Sequence, residues 1–199
     1  MIRLVKCQYI FLSLLMFALM GSSMSIANAA NRVALVIGNS NYESSPLKNP
    51  VNDAEDMAAA LTDLGFEVIL RTDAGKRDMI EAFEELNQKL DGAEAGLFFY
   101  AGHGMQVDGR NYLIPVGVTV NREADVEFEA VDAGRLLAAM EDAGAPVNIV
   151  ILDACRDNPF QRSFRSSTRG LAVMQSVKGS FIAYATSPGD VAQDGNGDN

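Results

Sequence analysis

Residues 147–160 read VNIVILDACRDNPF, and this stretch limits the possible folds more than any other. Its first six residues form an almost unbroken apolar, β-branched run of strand length. Such a run is typical of a strand covered on both faces, as in a parallel sheet. It ends in Asp153, Ala154, Cys155, Arg156 and Asp157, after which Asn158-Pro159 turns the chain away. Open α/β sheets bind their ligands just beyond the carboxyl ends of the strands, so Cys155 falls where such a fold keeps its chemistry. A second apolar strand, GLFFY at 96–100, runs into Ala101-Gly102-His103-Gly104. Glycines flanking a histidine let the backbone turn and approach a ligand closely. His103 is the one histidine among 199 residues and Cys155 one of two cysteines.

The other cysteine, Cys7, lies in an N-terminal segment with the marks of a secretory signal. Arg3 and Lys6 precede an apolar core at 9–20, and Ala27-Asn28-Ala29 has the small-residue pattern of a cleavage site. Cleavage after Ala29 is expected, with a periplasmic or secreted domain over 30–199. Cleavage would remove Arg3 and Lys6 from the 16 basic residues, and with 26 acidic residues the formal charge moves from −10 to −12. That acidity, without a basic patch, argues against nucleic acid and for basic or neutral partners. No membrane attachment is expected after cleavage. An exported domain with a single cysteine has no internal disulfide to make, which points to a reactive thiol or to intermolecular pairing.

The rest of the chain alternates strands and helices. Strands are expected at 32–38, 66–70 and 179–186, and helices at 54–64 (with Asn52 or Asp53 as cap), 78–90 and 132–143. A hairpin over 105–115 turns at Asp108-Gly109. Residues 116–131 carry no firm pattern, and 161–170 form a polar, basic, turn-rich loop. Alternation of this kind predicts an α/β fold of three layers, a mainly parallel central sheet with helices on both faces.

The two strand ends suggest a joint chemistry. A thiol attacks poorly until deprotonated, and an imidazole can take its proton and deliver it to a leaving amine. Backbone N–H groups of Gly104 and Cys155 are candidate donors to the oxyanion of a tetrahedral intermediate.

With these residues in hand, the sequence resembles the caspase–metacaspase clan of cysteine peptidases, in its bacterial exported branch. Residues 32–38, Asn52-Asp53-Ala54, FFYAGHG at 98–104, NYLIP at 111–115 and ILDACR at 151–156 stand in that clan's order. His103 and Cys155 lie 52 residues apart, close to the spacing of the caspase signature. The resemblance implies a His103–Cys155 dyad and a role for Gly104 in the oxyanion hole. It also implies that Asp153 and Asp53 select arginine or lysine before the scissile bond, through charge-assisted contacts with the basic head group. Helix capping is the alternative role for Asp53, and a strand-end turn the alternative for Asp153. Metacaspases often carry serine two residues before the histidine, where this chain has Ala101.

The partners implied are protein or peptide substrates with basic residues. No cofactor is expected. Some metacaspases use calcium, but Asp194, Asn196 and Asp198 match only the start of a calcium loop and read as a turn. Arg162, Arg165 and Arg169 are candidate self-cleavage sites or simply a solvated basic loop. Similar proteins continue past residue 199 into another helix, which implies that part of the cleft edge lies beyond this sequence. The competing functions are a catalytically silent caspase-like module that binds peptides or partners, and another thiol enzyme such as an acyltransferase.

Overall fold

The computed structural model describes residues 31–155, 171–175 and 179–185. The signal segment, the Asn158-Pro159 turn, the basic loop at 161–170 and the Asp194–Asn196–Asp198 run lie outside the described residues. The elements in order are β1 (Arg32–Gly38), α1 (Pro50–Asp63), β2 (Glu67–Thr72), α2 (Lys76–Leu90), β3 (Ala95–Val107) and β4 (Arg110–Leu113). A short 3-10 turn (Glu123–Asp125) leads into α3 (Val126–Glu129), β5 (Val131–Asp132), α4 (Ala133–Asp142), β6 (Val147–Cys155) and β7 (Ser180–Tyr184).

Five strands pair in parallel in the order β2-β1-β3-β6-β7, and β4 and β5 add antiparallel pairs along the second half of β3. Strand alternation sorts the core into two layers. Val33, Leu35 and Ile37 of β1, Phe98 and Tyr100 of β3, and Val150 and Leu152 of β6 pack on α2 and α4. Ala34 and Val36, Leu97, Phe99 and Ala101, and Ile149 and Ile151 pack on α1. Both faces of the central strands are therefore covered, which is why their sequences read as continuous apolar runs. The expected three-layer α/β architecture is the one observed.

Several local expectations need correction. Helix α1 begins at Pro50, and its N-cap position is Asn49, which makes no side-chain cap bond. Asn52 and Asp53 lie inside the first turns, past the N-cap position, and Pro50 is the first helical residue, where its missing N–H costs nothing. The far end follows expectation. Gly65 adopts φ +81°, and the N–H groups of Gly65 and Phe66 bond to the carbonyls of Thr62 and Leu61, both at 2.9 Å.

The strands also run further than the sequence implies. β3 continues straight through Gly102-His103-Gly104 instead of turning there, because its second half finds a new partner in β4. β6 extends through Asp153 and Ala154 to Cys155. The hairpin turn stands where expected, with positive φ at both Asp108 (49°) and Gly109 (77°). The unassigned stretch 116–131 contains only short elements, whose apolar residues Val120, Val126 and Ala130 join Tyr42, Met105, Tyr112 and Ile114 in a third, smaller core.

Candidate active site

Two rows of paired residues cross the carboxyl end of the sheet. In one, Gly38 of β1, Ala101 of β3 and Asp153 of β6 stand side by side. Two residues further on, His103 pairs with Cys155. Neighbouring strands lie about 4.8 Å apart, so this register makes the two chemically active residue types adjacent on the backbone. Side-chain placement is described for His103 and not for Cys155.

Gly38 allows α1 to approach. A Cβ there would lie 2.2 Å from the Pro50 carbonyl oxygen and 2.6 Å from the Ala54 Cβ. The first turn of α1, carrying the half-buried Asp53, is thus packed directly on the row that contains Asp153. Asp153, also half-buried, continues the alternation of Ile149 and Ile151 and so shares the α1 face of the sheet.

His103 is 2% exposed. Its Nε2 lies 2.7 Å from the carbonyl oxygen of Ser45. A carbonyl only accepts, so Nε2 carries the hydrogen, and Nδ1 is the ring nitrogen with a lone pair for a further proton. The ring packs against Tyr42 at a centroid distance of 4.4 Å and a tilt of 51°. The Tyr42 hydroxyl accepts from the His103 backbone N–H at 3.1 Å and donates to the Ile114 carbonyl at 3.0 Å. The Tyr100 hydroxyl donates to the His103 carbonyl at 2.8 Å and lies 3.2 Å from that of Tyr42. Burial pushes Tyr42 up to about 12 and Tyr100 well above the usual tyrosine value, so both hydroxyls keep their protons at neutral pH.

The two glycines beside His103 serve close packing. A Cβ on Gly102, whose φ is +154°, would sit 2.7 Å from the Tyr42 hydroxyl and 2.8 Å from that of Tyr100. A Cβ on Gly104 would sit 2.9 Å from the Ala154 Cβ and 3.3 Å from Leu171. The Ile114 N–H donates to the His103 carbonyl at 3.0 Å, so the next residue, Gly104, directs its own N–H away from β4, as antiparallel alternation requires.

The loop that supplies Tyr42 and Ser45 is pinned from below. Asp73 accepts the N–H groups of Ser40 (2.8 Å) and Asn41 (2.9 Å). Fully buried Asn39 accepts from the Ala74 N–H at 2.8 Å and donates to the carbonyls of Ala74 and Ile114, each at 3.3 Å. Sequence reasoning singled out His103, Gly104, Cys155, Asp53 and Asp153 as candidates and passed over Asn39, Tyr42, Ser45 and Asp73, which hold the histidine or its loop. The NSNY run at 39–42 was the available signal: polar residues immediately after a buried strand. Among the described residues no group of three His, Cys, Asp or Glu is placed to hold a metal ion, and no helix is long and apolar enough to cross a membrane.

Comparison with known proteins bears on the family and the fold. The family described as "Caspase domain" matches residues 31–199. Human mucosa-associated lymphoid tissue lymphoma translocation protein 1 is 32% identical over 129 residues, and its mouse homolog 31%. Each alignment covers 64% of this chain and 15% of the relative. Among solved structures, the Drosophila initiator caspase Dronc superposes with a TM-score of 0.55 at 12% identity, covering 84% of this chain and 63% of Dronc. A Geobacter sulfurreducens protein gives 0.50 at 19% identity, covering 64% of this chain and 51% of that one.

Proposed function

The chain belongs to the caspase domain family of cysteine peptidases, and from that premise we propose that it is an endopeptidase that cuts after arginine or lysine with a His103–Cys155 dyad. The observation that carries the reading is the pairing of His103 with Cys155 on adjacent parallel strands. In the proposed reaction the Cys155 thiol gives its proton to His103 Nδ1, while Nε2–H stays on the Ser45 carbonyl. The thiolate adds to the scissile carbonyl carbon, and the resulting oxyanion is held by the N–H groups of Gly104 and Cys155. The imidazolium then protonates the departing amine as the C–N bond breaks, leaving a thioester. Water, deprotonated by His103, attacks that thioester, releases the new carboxyl end and restores the thiol. Every proton in this cycle moves between the chain's own groups, substrate and water, so no cofactor enters its steps.

The preference for a basic residue rests on carboxylates. Asp153 stands two register positions before the dyad, and the turn bearing Asp53 packs against Gly38 of its row. Two carboxylates beside a cleft complement a guanidinium or ammonium group. The signal-like pattern of the N-terminal residues supports a periplasmic or secreted location for this activity.

The test is hydrolysis of matched fluorogenic peptides ending in Arg, Lys or Asp by wild type, Cys155→Ala and Asp153→Asn. Cleavage after Arg or Lys, abolished by Cys155→Ala and reduced at least tenfold by Asp153→Asn, is expected. Preference for Asp peptides would overturn the specificity. Binding of peptides with no cleavage by wild type would favour the silent module instead.

A further inference from the structure

Tyr42 touches His103 with both its ring and its hydroxyl. Its ring lies against the imidazole (4.4 Å between centroids), its hydroxyl accepts the His103 N–H, and three residues later the Ser45 carbonyl takes Nε2–H. One short loop therefore grips both the face and the edge of the imidazole. Tyr42 is itself only 8% exposed and is anchored to Ile114, just past the end of β4, so it has little freedom to swing away. We propose that Tyr42 is the positioning residue of the dyad, its ring fixing the plane of the His103 imidazole and stabilising the imidazolium formed when Cys155 gives up its proton. The proposal rests on the dyad reading above but does not depend on peptide cleavage for its test.

The physical basis is the negative face of an aromatic ring, which attracts a cation within about 6 Å and does so more strongly out of water. His103 meets both conditions. The other titratable groups on the elements around it are Tyr100 on β3, Arg110 and Tyr112 on β4, Asp153 and Cys155 on β6, Asp53, Glu55, Asp56 and Asp63 on α1, and Glu43 and Lys48 in the loop, with Asp73 bonded to that loop. They are the same in every Tyr42 variant, so a comparison among those variants isolates the ring.

Because His103 is the one histidine in the chain, its Cε1–H proton gives a single NMR signal of its kind that can be titrated directly. The experiment follows that signal against pH in the Cys155→Ala protein, alone and combined with Tyr42→Phe, Tyr42→Leu or Tyr42→pentafluorophenylalanine. Tyr42→Phe keeps the ring and is expected to leave the midpoint within about 0.3 units. Tyr42→Leu removes the ring and should lower the midpoint by about 0.4–1.5 units, a three- to thirtyfold loss of imidazolium stability. The pentafluoro variant keeps the shape of Phe but reverses the charge of the face. It should lower the midpoint as well, and it serves where Tyr42→Leu does not fold. With Cys155 present, the same variants should raise the pH at which iodoacetamide alkylates the thiol. An unchanged midpoint in the pentafluoro protein, or a shift in Tyr42→Phe as large as in Tyr42→Leu, overturns the proposal. Failure of the peptide assay with these shifts present would instead count against the peptidase reading.

Discussion

Gly102→Ala tests the packing around His103 most sharply. The new methyl group would lie 2.7 Å from the Tyr42 hydroxyl oxygen, 2.8 Å from that of Tyr100 and 3.0 Å from the Tyr100 Cζ. Ordinary contacts of this kind begin near 3.4 Å, so both hydroxyls would have to retreat by more than half an ångström. They are not free to do so: Tyr42 is tied to His103 and Ile114, and Tyr100 to the His103 carbonyl. Overpacking of this sort costs about 1–3 kcal/mol. Holding a non-glycine residue at φ +154° adds about 1–3 kcal/mol. Against a typical total stability of about 5–15 kcal/mol the substitution is severe. Urea unfolding is the assay, run on Gly102→Ala in wild type and in a Tyr42→Phe/Tyr100→Phe background. Removing the two oxygens relieves the closest contacts but leaves the Tyr100 ring carbon and the backbone cost. The double-mutant cycle should therefore recover about 1–2 kcal/mol. An equal cost in both backgrounds would refute the claim that glycine is required there by the tyrosine hydroxyls.

Two further predictions concern stability. Tyr42 is raised by burial from 10.0 to about 12, so as pH climbs past 10 the unfolded chain releases this proton first. Stability should hold below pH 10 and fall by about 3 kcal/mol as pH rises from 10 through and beyond 12 from Tyr42 alone, with Tyr100 adding to the loss in the same direction. Urea midpoints against pH measure this, and Tyr42→Phe should flatten the curve; an unchanged slope would sink the assignment. Asp132 caps α4 by accepting the Gly134 N–H at 2.8 Å and also pairs with Arg110. Asp132→Ala should cost about 1–2 kcal/mol and Asp132→Asn distinctly less, since an amide oxygen keeps the cap; equal losses in urea unfolding would show that the cap is not the main contribution.

Much of the fold is written locally. The apolar runs in β1, β3 and β6 are long because both faces are buried, and that burial is what makes a doubly covered parallel sheet legible from sequence. The Asp108-Gly109 turn was readable because positive φ is a local demand with a narrow residue choice. The start of α1 was misread because Pro50 breaks a helix interior but fits a first turn, and the sequence around it does not say which position it holds. The ends of β3 and β6 were placed too early for a different reason. Gly102, Gly104 and Asp153 are weak strand formers by propensity, and only the pairing with β4 and between β3 and β6 keeps them extended.

By itself, then, the sequence determined the layer architecture and put a histidine and a cysteine at the ends of two buried strands, because burial and strand chemistry act over a few neighbouring residues. The tertiary structure decided what stands beside the histidine. Tyr42 reaches His103 across 61 positions and Ser45 reaches it across 58, while Asn39 ties the same loop to Ala74 across 35. Contacts at such separations exist only after β1 and β3 have paired, since it is that pairing which carries the loop after one strand over the histidine of the other.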